Sequence, residues 1–135
     1  MPKFSNRSLE ALDTCDSRLI ILFNEVIDYY DCTVLEGFRT KEAHDEYIRR
    51  GVTRVHYEQS KHSGSPSRAI DVAVCGMRGK IDWNNSKSFY HFGGFVMGLS
   101  KGLGIDIRWG GDWDSDNNLN DQNFMDLVHF ELVER

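Results

Sequence analysis

Residues 69–74, Ala69-Ile70-Asp71-Val72-Ala73-Val74, form an apolar run of strand length broken by one carboxylate. They follow His62 and a loop of serines, a glycine and a proline, in the sequence SKHSGSPSRAIDVAV (residues 60–74). Short apolar runs of this kind are buried strands, and aspartate is among the residues least often found in them. Strand alternation puts Ile70, Val72 and Val74 on one face and Ala69, Asp71 and Ala73 on the other. The carboxylate thus has small neighbours on its own face, which leave room for a ligand or ion, and bulky apolar residues behind it.

The C-terminal segment Asp126–Val133, DLVHFELV, repeats the pattern: Val128, Phe130 and Leu132 share one face, with His129 and Glu131 on the other. A histidine, a strand aspartate and a histidine from another strand form a sound zinc-binding set, because imidazole nitrogen and carboxylate oxygen both suit that ion. A buried charge is tolerated when it coordinates a metal, so zinc would account for Asp71. The alternative from spacing alone is bland: His62 a loop histidine, Asp71 in a structural salt bridge, His129 a satisfied core residue.

Outward from these strands, apolar residues at helical spacing predict a helix from an Asp16 cap to about Tyr30, with a shorter helix before it from Ser5 or Ser8. CTVLEGF reads as a strand, and Thr40 caps a short helix ending near Gly51. Asn84 or Asn85 starts a long helix with Phe89, Phe92, Val96, Leu99 and Leu103 on one side. Its glycines, Gly93, Gly94 and Gly98, are expected at close contacts with a sheet, since each costs about 1 kcal/mol of helix propensity. IDIRW and LVHFELV complete the strands. Helices interleaved with short strands predict an α+β domain, residues 1–135, with helices mainly on one face of a small antiparallel sheet and the zinc site on that sheet.

The formal charge of −5 disfavours a nucleic-acid binder, which shows a basic face. Cys15, Cys32 and Cys75 include no CxxC pair, so they read as reduced, mostly buried thiols. MPKFSNRSLEAL lacks the apolar core of a signal peptide, and no run is long enough to span a membrane.

SKHSGSPSRAID resembles the S-x-H…A-x-D element of the zinc peptidases related to D-Ala-D-Ala carboxypeptidases and dipeptidases, and DLVHFEL resembles their second element, [DE]-x-x-H. EGFR (residues 36–39) and RWGGDWD (108–114) are similar to the phage endolysins that act as L-alanyl-D-glutamate peptidases, and the likeness spans nearly the whole chain. Many members join the histidine and aspartate by a shorter connection than the eight residues here, Ser63 to Ile70. The resemblance makes His62, Asp71 and His129 the zinc ligands and Asp126 the catalytic acid/base, in place of a more usual glutamate. It places Arg39 at the substrate carbonyl and makes Ser60 a loop-fixing or substrate-binding residue. In a regular strand Asp126 and His129 would face opposite sides, so Asp126 is expected at a bend. The implied function is a monomeric zinc peptidase cutting the L-Ala–D-Glu bond of the peptidoglycan stem. It would be held in the host cytoplasm until another protein opens the membrane. The rivals are a D-Ala-D-Ala carboxypeptidase and a zinc-bearing wall-binding module without turnover.

Trp109 and Trp113 flank GGD and are candidates for the substrate groove, with core or loop packing as the alternative. His44, His56 and His91 fall in no ligand spacing and read as surface or helix histidines. Asp82-Trp83 reads as a turn. Asp112, Asp114 and Asp116 alternate like the start of a calcium loop, but glycine is missing at the sixth place and Asn123 stands where a bidentate glutamate would be. A solvated acidic loop is the preferred reading of residues 112–123, with calcium as the alternative.

Overall fold

The computed structural model describes residues 2–51, 61–120 and 125–133. Each helix starts where a short polar side chain can satisfy the free backbone N–H groups of the first turn. Ser5 accepts from Ser8 N at the start of α1 (Asn6–Asp13), and Asp16 accepts from Arg18 N at the start of α2 (Ser17–Tyr29). Thr40 does the same for α3 (Lys41–Arg49), and Asn85 for α4 (Ser86–Leu103). The turn expected at Asp82-Trp83 is present, with Asp82 Oδ1 accepting from Asn84 N at 3.1 Å. Among the described residues no helix is long and apolar enough to cross a membrane.

Four antiparallel strands form the sheet: β1 (Cys32–Glu36), β2 (Ala69–Val74), β3 (Ile107–Gly110) and β4 (Asp126–Leu132), in the order β1-β2-β4-β3. The alternation read from β2 and β4 holds for Ile70, Val72, Phe130 and Leu132, whereas Val128, expected on the same face, is only partly buried. Ile70, Val72, Phe130 and Leu132 are fully buried against the helices. Phe23 of α2 and Phe92 of α4 meet Phe130 edge-on, with ring centroids 5.6 Å and 6.3 Å away. α1 packs on β1 and α4 on β2, β3 and β4. The architecture is the expected α+β arrangement.

Two details of α4 differ from expectation. Only Gly93 is forced by packing: a Cβ there would lie 2.2 Å from Trp109 Cζ2, whereas nothing comes within 4 Å of one at Gly94 or Gly98. Leu103 is 39% exposed, whereas Ser100 is buried, its hydroxyl returned to Met97 O at 2.8 Å. All three cysteines are free. Burial raises the Cys15 thiol to about 12 and pushes Cys32 up as well, which keeps both in the unreactive protonated form.

Candidate metal centre and active site

Asp71 and His129 are direct partners across the β2–β4 ladder, on the sheet face away from the apolar core. His62 reaches them from the short 3-10 turn Lys61–Ser63. That turn is tied to the loop behind it, since Arg68 N donates to Lys61 O at 3.0 Å. The loop itself is pinned to the α1–α2 junction by Ser67 N to Thr14 O (2.9 Å) and Asp16 N to Ser67 O (2.8 Å). The connection between His62 and Asp71 is thus anchored at the α1–α2 junction.

The separations among His62 Nε2, Asp71 Oδ1 and His129 Nδ1 are 3.1, 3.2 and 3.3 Å. Ligands about 2.0–2.1 Å from a tetrahedral ion stand about 3.3–3.4 Å apart, so the three donors fit one face of such a tetrahedron. The outer side of each ring strengthens the case. His62 Nδ1 lies 2.7 Å from Gly37 O, and His129 Nε2 lies 2.9 Å from Glu131 Oε1. Both partners only accept hydrogen bonds, so each of these nitrogens carries the proton, and the neutral ring turns its lone pair to the shared point. The charge balance without a cation points the same way. Burial opposes ionisation of Asp71, but the His62 and His129 rings outweigh it and hold the carboxyl far below the usual range. Burial likewise lowers His129, yet hydrogen bonds to Asp71 and Glu131 raise it to about 10.

Asp126 begins β4, and the expected bend is present. Trp109 pairs with Phe130 while the next residue, Gly110, pairs with Asp126, so residues 127–129 bulge out of the β3–β4 register. The glycine is required, because a Cβ at Gly110 would lie 2.0 Å from Asp126 O. The irregularity breaks the regular alternation between Asp126 and His129. Its carboxyl is raised, first by burial and then by the negative charge of Asp71; His129, His62 and Arg39 act in the opposite sense.

Arg39 is buried and held from three sides. Its Nε donates to Glu36 Oε1, its Nη1 lies 3.1 Å from His44 Nδ1, and its guanidinium sits 4.7 Å from the Tyr47 ring centroid. Tyr47 in turn donates to Glu36 Oε2 at 2.9 Å. His44 is a helix histidine, on α3, which was one of its two expected places, but it is fully buried against Arg39 and does not lie at the surface. No spacing signal links it to Arg39. Glu131, by contrast, shares the strand face of His129, so alternation already placed it beside that ring.

The two tryptophans part ways. Trp109 follows Ile107 on the core face, is 3% exposed, stacks on Phe130 and donates its Nε1–H to Leu127 O. It is a core residue and does not line a groove. Trp113 lies beside the centre, its ring 5.4 Å from that of His129. His91 is exposed and bonds Tyr30 Oη at 2.7 Å. Ser60 and His56 lie outside the described residues, as does Asn123.

In the acidic loop, Asp112, Asp114 and Asp116 bring carboxylate oxygens within 4.8 Å of one another. Asp112 Oδ1 is buried with no hydrogen-bond partner, and burial is the first cause of its raised pKa. Asn117, at the sixth place, adopts the left-handed conformation (φ 65) that glycine supplies in calcium loops.

Comparison with known proteins identifies the family. A family model described as phage L-alanyl-D-glutamate peptidase matches residues 1–133. The L-alanyl-D-glutamate peptidase of Escherichia phage T5 is 30% identical, covering 97% of this chain and 98% of that protein. The Bacillus subtilis peptidoglycan L-alanyl-D-glutamate endopeptidase CwlK is also 30% identical, over 76% of this chain and 61% of its own length. The crystal structure of the Serratia marcescens L-Ala D-Glu endopeptidase ChiX shares the fold, with a TM-score of 0.75 at 23% identity, covering 97% of this chain and 90% of that one. With the match running from the first residue through both strand elements of the centre, the chain belongs to the phage L-alanyl-D-glutamate peptidase family.

Proposed function

We propose that this protein is a zinc-dependent peptidase that hydrolyses the L-Ala–D-Glu bond in the stem peptide of bacterial peptidoglycan. The observation that carries the reading is the convergence of two imidazole lone pairs and one carboxylate oxygen on a single point. Family membership supplies the scissile bond, because no residue in the site specifies stereochemistry.

A zinc ion held by His62, Asp71 and His129 would supply a Lewis acid and lower the pKa of a bound water from about 15.7 towards about 7. Asp126, close enough to feel the charges of Asp71, His129, His62 and Arg39, accepts the proton of the attacking water and passes it to the leaving amine. Arg39, fixed by Glu36 and His44, presents its guanidinium to the oxygen that gains charge on the scissile carbonyl. Trp113, beside the His129 ring, borders the substrate.

In this reading one catalytic domain works as a monomer during host lysis. It stays in the host cytoplasm until the membrane is opened, and it engages neither nucleic acid nor lipid. Its charge of −5 gives no electrostatic attraction to an anionic wall. Digestion of purified peptidoglycan, with mass analysis of the fragments and their new amino termini, tests the assignment. New D-Glu amino ends are expected. Released D-Ala would favour a carboxypeptidase, and binding without cleavage a wall-binding module.

For the acidic loop the solvated reading stays the preferred one, with calcium at Asp112, Asp114 and Asp116 as the alternative, favoured by the left-handed Asn117. Calorimetric titration showing no heat, together with unchanged activity in calcium, would dispose of it.

A further inference from the structure

Glu131 is a buried carboxylate that the reaction itself does not use. It lies two residues beyond His129 on the same strand face and gathers partners from three separate segments. Oε1 accepts from His129 Nε2 at 2.9 Å, and Oε2 lies 3.0 Å from Lys61 Nζ and 2.8 Å from Arg108 Nη2. Lys61 adjoins His62 in the 3-10 turn and also donates to Leu132 O. Arg108 belongs to β3, where Glu131 is its ladder partner, and its guanidinium lies 5.6 Å from the Trp113 ring centroid.

We infer that Glu131 is the positioning residue of the metal centre: one oxygen fixes the ring of His129, and the other, through Lys61, fixes the turn that carries His62. This rests on the metal-peptidase reading and adds to it a residue that touches neither the ion nor the substrate. A carboxylate behind a ligating imidazole sets the tautomer, aims the lone pair and raises its basicity. The two cations satisfy the carboxylate's other oxygen, so the charge can stay buried and can resist rotating towards the ion itself. A salt-bridge cluster that served stability alone would have no reason to spend one oxygen on the outer nitrogen of a ligand histidine.

The test is zinc affinity, measured by competition with a chromophoric chelator, together with the visible spectrum of the cobalt-substituted protein. Glu131→Ala is expected to weaken zinc binding about 10- to 100-fold and to change the cobalt spectrum. Glu131→Gln keeps an acceptor for His129 Nε2–H and is expected to recover part of the affinity; it is also the variant to measure should the alanine form fail to fold. Lys61→Met, which leaves the His129 contact intact, is expected to weaken binding by a smaller factor. Wild-type affinity and an unchanged cobalt spectrum in a folded Glu131 variant would overturn the inference. Failure of the wild-type protein to bind zinc at one equivalent would instead overturn the metal-peptidase reading beneath it.

Discussion

In the proposed mechanism Asp126 has to be ionised to take a proton from water, and its surroundings resist ionisation. Burial is the larger cause and does not depend on a metal; the charge of Asp71 is the smaller, and a bound cation would offset it. A carboxyl raised in this way remains protonated to higher pH than an ordinary aspartate, which titrates near 3.9. The acid limb of kcat/KM should therefore lie above the ordinary aspartate range, with activity lost as pH falls through that raised value. Asp126→Asn should lower kcat by at least about 100-fold at every pH while zinc affinity and the melting temperature stay near wild type. A rate profile of the wild type together with zinc titration of the variant checks both points, and retained turnover would remove Asp126 from the mechanism.

At the scale of elements, α4 and β3 set how the sheet is covered. Trp109 lies flat on Phe130 because Gly93 leaves space for its indole, so helix and strand approach more closely than any side chain at that position would permit. Gly93→Ala should cost about 1–3 kcal/mol through overpacking against the indole. Gly98→Ala, at an exposed position with no neighbour near its Cβ, should instead stabilise by about 0.5–1 kcal/mol. Urea denaturation of the two variants should give shifts of opposite sign. Helix propensity alone would make both changes stabilising, so the comparison isolates the contact. At the same strand edge, Gly110 gives the Asp126 backbone the room it needs where β4 leaves the β3 register.

For the whole molecule, the centre joins the His62 turn, β2 and β4, with His62 and His129 separated by 67 positions in the chain. A cation bound only by the folded state stabilises it by mass action, about 2.7 kcal/mol at 100 times its dissociation constant. Chelation should lower the melting temperature by several degrees and abolish peptidase activity, and zinc should restore both; in His129→Ala zinc should no longer shift the melting curve. Much of this design was legible in the chain itself. The caps at Ser5, Asp16, Thr40 and Asn85 and the outward facing of Asp71 and His129 follow from backbone periodicity, a local property that neighbouring residues set among themselves. Alternation from Ile107 would also have assigned Trp109 to the core. The approach of Asp126, the burial of His44 against Arg39 and the placing of Trp113 beside His129 are of another kind. They depend on a register shift between β3 and β4 and on which segments meet across the sheet. Such contacts are chosen by packing among distant parts of the chain, and no local spacing encodes them.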